Sequence, residues 1–137
     1  TTGNAATATT AAACSGNAAT ATKLQTARKI NGVDFDGSTD IDLPLIGVNQ
    51  TWQNLTSSRV NGTIYTNTTG RPIVVKVSSN FTSSSNSLFL YVNEVEVQRI
   101  QQDADGSVNA WADLIVPSGS SYRINSSNGF SNWSELR

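Results

Sequence analysis

The chain has no histidine and no methionine, one cysteine and three prolines, and only 14% of its 137 residues are charged. Without histidine there is no Ser-His-Asp or Cys-His nucleophilic site, no histidine-bound metal, and no general base of the commonest kind. The lone Cys14 excludes an internal disulfide and a multi-cysteine zinc site. With no histidine to activate it, this thiol reads as a small apolar filler rather than a nucleophile. Lack of methionine, with Thr1 opening inside a repeat, is what a piece of a longer polypeptide would give. No apolar run approaches the ~18 residues of a membrane span, so no membrane insertion is expected. Residues 48–137 balance six basic against six acidic side chains without a basic stripe, so nucleic acid is not an expected partner. No motif calls for a cofactor.

Residues 1–22 lack Val, Ile, Leu and every aromatic residue, and so cannot form a core alone. What they do contain is the heptapeptide Gly-Asn-Ala-Ala-Thr-Ala-Thr twice, at Gly3–Thr9 and Gly16–Thr22. Tandem repeats stack along an axis, and small side chains fit where several chains crowd one line. The second repeat runs into Lys23-Leu-Gln-Thr-Ala-Arg-Lys-Ile-Asn-Gly, then Phe35-Asp-Gly followed by Ile41-Asp-Leu43. The stretch Gly16–Pro44 closely resembles the shaft-to-tip junction of tailed-bacteriophage tail fibres of the lambda side-fibre and Mu type. Gly47-Val-Asn-Gln-Thr-Trp-Gln-Asn-Leu-Thr with Ser58-Arg59 is similar to the start of their receptor-binding tips, and Asn132-Trp-Ser-Glu-Leu-Arg to their C-terminal residues. The resemblance implies a homotrimer at the distal end of a virion tail fibre or tail-like particle. It also implies a tip that binds lipopolysaccharide or another host surface glycan, and an assembly chaperone as a further partner.

The expected fold is all-β. A short intertwined fibre shaft and β-meander junction cover residues 1–47, and a small antiparallel β-sandwich tip covers 48–137, assembled as a homotrimer. Residues 23–29 have the spacing of one or two helical turns but are too short to stand alone. Val33–Asp36 and Asp40–Leu43 both alternate apolar with acidic, the mark of half-buried strands, and Asn31-Gly32 is a hairpin turn. From Gly47 onward, strands are expected near Thr51–Trp52, Thr63–Thr66, Ile73–Ser79, Ser87–Val92, Val95–Gln101, Ala110–Val116, Tyr122–Asn125 and Asn132–Leu136. Their spacers are rich in Gly, Asn, Asp and Ser.

Four aspartates, Asp34, Asp36, Asp40 and Asp42, raise the question of calcium. Counted from Asp34, glycine falls fourth and the twelfth residue is Leu45, which does not match a calcium loop, so they are assigned to the solvent face of strands. Glycoside hydrolysis needs two carboxyls flanking one bond; the pairs Glu94/Glu96 and Asp103/Asp105 sit in turns, and the protein is not expected to be an enzyme.

Aromatics beside amides are the stronger lead. A sugar lays its C–H face on an indole while Asn, Asp or Ser fix its hydroxyls, and Ser, Thr and Asn supply 48 of the 137 residues. Trp52 and Tyr65 are expected in the core, and Trp111 at least half so. The candidate glycan-binding residues are Asp103, Asp105, Asn109, Trp111, Asn128, Phe130, Asn132 and Trp133. The function expected is non-catalytic host attachment, with a polysaccharide depolymerase and a purely structural fibre domain as the alternatives.

Overall fold

In the computed structural model, residues 24, 26–103 and 106–137 are described. The repeats of residues 1–22, and the shaft expected there, lie outside them. The described residues contain no α-helix; every strand pairing is antiparallel, as an all-β chain requires. The chain divides into two compact units between Leu43 and Pro44.

In the first unit, β1 (Arg28–Ile30) and β2 (Val33–Phe35) form a hairpin. Its two-residue turn has positive φ at both Asn31 (49°) and Gly32 (82°), the conformation that matches the twist of the flanking strands. Lys29 and Asp34 form an ion pair at 2.8 Å across it. The turn thus recruits residues 28–30 into a strand and overrides the expected helical turn, whose nucleus would be costly. Asp40–Leu43 is also not a strand. The Asp36 carboxylate accepts the Ser38 hydroxyl and backbone N–H, and the Ser38 hydroxyl is the main reason its carboxyl lies below the usual range. The chain turns there, and Asp40–Leu43 beyond the turn joins no ladder. Ile41 and Leu43 are still half-buried, so the alternation reported burial without a ladder.

The second unit is two four-stranded sheets over one core. The first sheet has order β3 (Trp52–Asn54), β10 (Asn132–Leu136), β5 (Ile73–Phe81), β8 (Val108–Val116). The second has order β4 (Tyr65–Thr66), β9 (Ser121–Ser126), β6 (Ser87–Val92), β7 (Val95–Gln101). All eight strands lie where alternation puts them, with small shifts at the ends. β5 and β8 are longer than expected because each extends the other, in register from Ile73↔Val116 to Phe81↔Val108.

Period-2 burial builds the core. Ile73, Val75, Val77 and Phe81 of β5 and Ala110, Ala112, Leu114 and Val116 of β8 point inward, as do Leu88 and Leu90 of β6 and Tyr122 and Ile124 of β9. Trp133 of β10 is fully buried among them. Asn67 is buried as well. Its amide Nδ2 donates to the carbonyls of Arg71, Val116 and Pro117 at 2.8–3.1 Å, while its Oδ1 accepts from the Thr69 N–H and hydroxyl. The side chain thereby satisfies carbonyls at the crossing between sheets.

Candidate functional site

Three connections leave their strands at one end of the sandwich: β5 to β6, β7 to β8 and β9 to β10. The registers Phe81↔Val108, Ser87↔Gln101, Leu88↔Ser126 and Asn132↔Ser78 require it. The candidate residues around Asp103 and those around Asn128 therefore lie at the same end, although about twenty residues separate them in the chain.

On the outward face of the first sheet, Asn109 sits opposite Asn80, Trp111 opposite Ser78, and Ser78 opposite Asn132. Asn128 reaches the same place, its Nδ2 donating to the Asn80 carbonyl. The Ser78 hydroxyl is bonded to the Ser131 hydroxyl at 2.9 Å. Asn109, Trp111, Asn128 and Asn132 are thus brought together, and Ser78 and Asn80, which sequence reasoning did not select, lie between them. Asn132 and Ser78 share a face because both strands alternate, but the pairing of β5 with β10 is not written in either segment.

Trp111 differs from expectation. It is 64% exposed, because Ala110, Ala112, Leu114 and Val116 take the inward positions and leave the odd-numbered residues outside. Its parity with Asp113 was the available signal. Trp52, expected inside, is 51% exposed on the edge strand β3, with the Lys76 ammonium 5.9 Å from its ring centroid. Tyr65 is half-buried and packs beside Tyr122 and Trp133.

Trp133 is a correction. It has no exposed surface, and its indole N–H donates to Glu135, so it presents nothing to a ligand. Phe130 is half-buried and meets Trp133 edge-on at 4.8 Å, which makes it a cover for the core at this end. Asp103 is exposed, and Asp105 lies outside the described residues.

A cleft of about 470 Å³ opens beside Trp111, bounded by Phe81, Ile100, Gln101, Gln102, Asp103, Val108, Asn109 and Ala110. It exists because β7 and β8 are edges of different sheets and do not pair, so the sandwich gapes between them. Its volume lies in the range of small-ligand sites. Gln102 Nε2 donates to the Gly106 carbonyl at 2.8 Å and Gln102 N–H to the Asn86 carbonyl at 3.0 Å, which ties the β7–β8 loop at the cleft rim. An exposed indole, an apolar trough and a field of amides and hydroxyls can hold a ligand with one apolar and one hydroxylated side.

The carboxylates are engaged otherwise. Glu94 is paired with Arg123 at 3.0 Å, and Glu96 with Arg99 at 2.9 Å. Arg123 lies over the Tyr91 ring and Arg99 over Phe89, so the outer face of the second sheet carries two rings each covered by a guanidinium. Hydrogen bonding to Arg99 holds the Glu96 carboxyl below its usual range.

Glu135, like Asn67, is heavily bonded through its side chain. It is fully buried, yet Oε1 accepts from Arg59 Nε (2.8 Å), Tyr122 Oη (2.7 Å) and Trp133 Nε1 (3.0 Å). Oε2 accepts from Arg59 Nη2 (3.0 Å) and Arg137 Nη1 (2.7 Å). Burial by itself would push its carboxyl up. The bonds from Arg59, Tyr122 and Trp133 outweigh it and hold the carboxyl below the ordinary value. Burial, and then the bond to Glu135, pushes the Tyr122 hydroxyl well above its usual range. With all lone pairs taken and no solvent access, Glu135 holds the fold together and is not offered to a substrate. Trp133 and Glu135 are two apart in one strand, so an inward Trp133 already implied an inward Glu135.

No family model matches this chain, and no solved structure matches it either.

Proposed function

We propose that the protein is a host-attachment module whose Trp111 face binds a cell-surface glycan, such as lipopolysaccharide, without cleaving it. The observation that carries this reading is the exposed Trp111 indole on the wall of an open cleft, with Asn109 beside it and Asn80 and Asn132 on the same face of the sheet; Ser78 between them is buried and bonded to Ser131. An indole among amides suits a pyranose ring, whose C–H face can lie on the aromatic surface while the amides meet its hydroxyls.

The resemblance of Gly16–Pro44 to phage tail fibres supports the wider setting. In it, the small-residue repeats form an intertwined shaft, three copies assemble in parallel, and the sandwich is the distal tip of a virion fibre or tail-like particle. An assembly chaperone would act during that winding. Three shallow sites on one trimer, and several trimers on one particle, would turn weak single contacts into firm attachment.

The test is binding of the full chain to bacterial strains whose lipopolysaccharide is cut back step by step. Loss of binding at one defined truncation is expected. Binding that ignores every truncation would defeat the lipopolysaccharide reading, and shortening of purified lipopolysaccharide during incubation would make the protein a depolymerase. Sedimentation of the same chain as a single-copy particle would remove the trimer.

A further inference from the structure

The charges around Trp111 narrow the ligand. The unit from Pro44 onward carries six basic side chains: Arg59, Arg71, Lys76, Arg99, Arg123 and Arg137. Arg59 and Arg137 are committed to the buried Glu135. Arg99 and Arg123 are held by Glu96 and Glu94 on the opposite sheet. Arg71 donates to the Val48 carbonyl at 2.6 Å. Lys76 shares the outward face with Ser78, but its ammonium is drawn over the Trp52 ring, and its cross-strand neighbour on β8 is Asp113.

None of the six borders the cleft, whose one charged wall residue among those described is Asp103. The sequence adds Asp105 to the same loop and no base between Gln101 and Trp111. A phosphate or carboxylate entering here would give up water for no cation and would meet like charge. Hydroxyls face no such penalty: Asn109, Asn132 and Gln101 offer both donors and acceptors.

Resting on the glycan reading above, we infer that the Trp111 site takes uncharged pyranose units and rejects phosphorylated or carboxylate-bearing ones. Stacking on Trp111 supplies the contact with the ring, and the amides choose among hydroxyl patterns. Attraction of this kind involves no ion pair, so affinity is nearly independent of salt.

The full chain is tested on immobilised neutral hexose oligosaccharides and on the same oligosaccharides carrying phosphate or oxidised at C6 to the carboxylate. Neutral forms are expected to bind at least about tenfold better than their anionic counterparts, since one unpaired charge in the cleft is enough for that ratio. Raising salt from about 50 to about 500 mM should change neutral binding less than about twofold, a range over which ion-paired recognition weakens strongly. Trp111→Ala should abolish capture with unchanged thermal unfolding, because the side chain is outside the core. Asp103→Lys should raise binding of the phosphorylated forms relative to the neutral ones.

Trp111-dependent capture that favours the anionic forms, or that collapses in salt, overturns this inference and leaves the glycan reading standing. Absence of binding to any oligosaccharide and to intact lipopolysaccharide overturns both. Undiminished, equally selective binding by Trp111→Ala removes the assignment to this face.

Discussion

Replacing Glu135 by glutamine is the sharpest perturbation of this fold. The side chain keeps its shape, but the negative charge that holds Arg59 and Arg137 disappears. Arg59 is 14% exposed and Arg137 24% exposed, so neither guanidinium can recover full hydration without moving. One amide group of glutamine also becomes a donor where the carboxylate accepted from Arg59, Tyr122, Trp133 or Arg137. Breaking a buried pair by removing one partner costs about 3–5 kcal/mol, about a fifth or more of the stability of an ordinary domain. For a unit the size of Pro44–Arg137, each kcal/mol moves the midpoint by about 4–8 °C, so Glu135→Gln should melt at least about 12 °C lower. Urea unfolding followed by tryptophan fluorescence and circular dichroism measures it directly. The companion variant replaces all three groups, with Glu135→Leu, Arg59→Met and Arg137→Met together. It should recover only part of the loss: no charge is stranded, but the buried Tyr122 hydroxyl and Trp133 indole N–H lose their acceptor. A Glu135→Gln protein within about 1 kcal/mol of the parent would refute the reasoning, since a buried pair this well bonded cannot be broken so cheaply.

Acid should act through the same carboxyl. Its folded value is depressed, so its contribution is complete above the unfolded value of about 4.3 and is lost as pH falls through the lower folded one. Stability should therefore drop below about pH 4, and Glu135→Gln should flatten that slope; an unchanged slope would contradict the account. Asn67→Ala should cost about 2–3 kcal/mol in urea unfolding, because the carbonyls of Val116, Arg71 and Pro117 lose their donor in or near the interior. Gly32→Val should weaken the β1–β2 hairpin, whose turn needs φ of +82° there, and amide hydrogen exchange across Lys29–Asp34 should quicken while the second unit is unaffected.

Much of this architecture was legible in the chain because most strands report themselves by alternation. Val95–Gln101 and Asn132–Leu136 have the bounds that their patterns give, and the Asn93-Glu94 turn takes positive φ at both residues as a two-residue hairpin demands. The first unit is less legible. Alternation at Asp40–Leu43 describes which residues are covered, and a segment can be covered without entering a ladder. At Trp111 parity prevails over bulk: Ala110 and Ala112 are small, yet they face inward and the indole does not. The candidate site was half legible. Its loops and several of its residues follow from turn chemistry, but Ser78 and Asn80 join them only through the ladders β5 makes with β8 and β10. Such pairings link residues far apart in sequence, and neither partner's local pattern names the other. Turn chemistry marks Asp103 in the sequence; its place on the rim of a cleft comes from two sheet edges that fail to meet.

The position of β10 has a consequence for how the molecule is made. It is the last described strand in chain order, yet it lies inside its sheet, between β3 and β5. A nascent polypeptide therefore holds these two strands around an empty slot until Leu136 has left the ribosome. During that interval the apolar side of β5 is open, and so is a row of unpaired backbone groups able to capture a stray strand. Prompt filling of that slot once Asn132–Leu136 has emerged closes the open row and removes the opportunity for such capture.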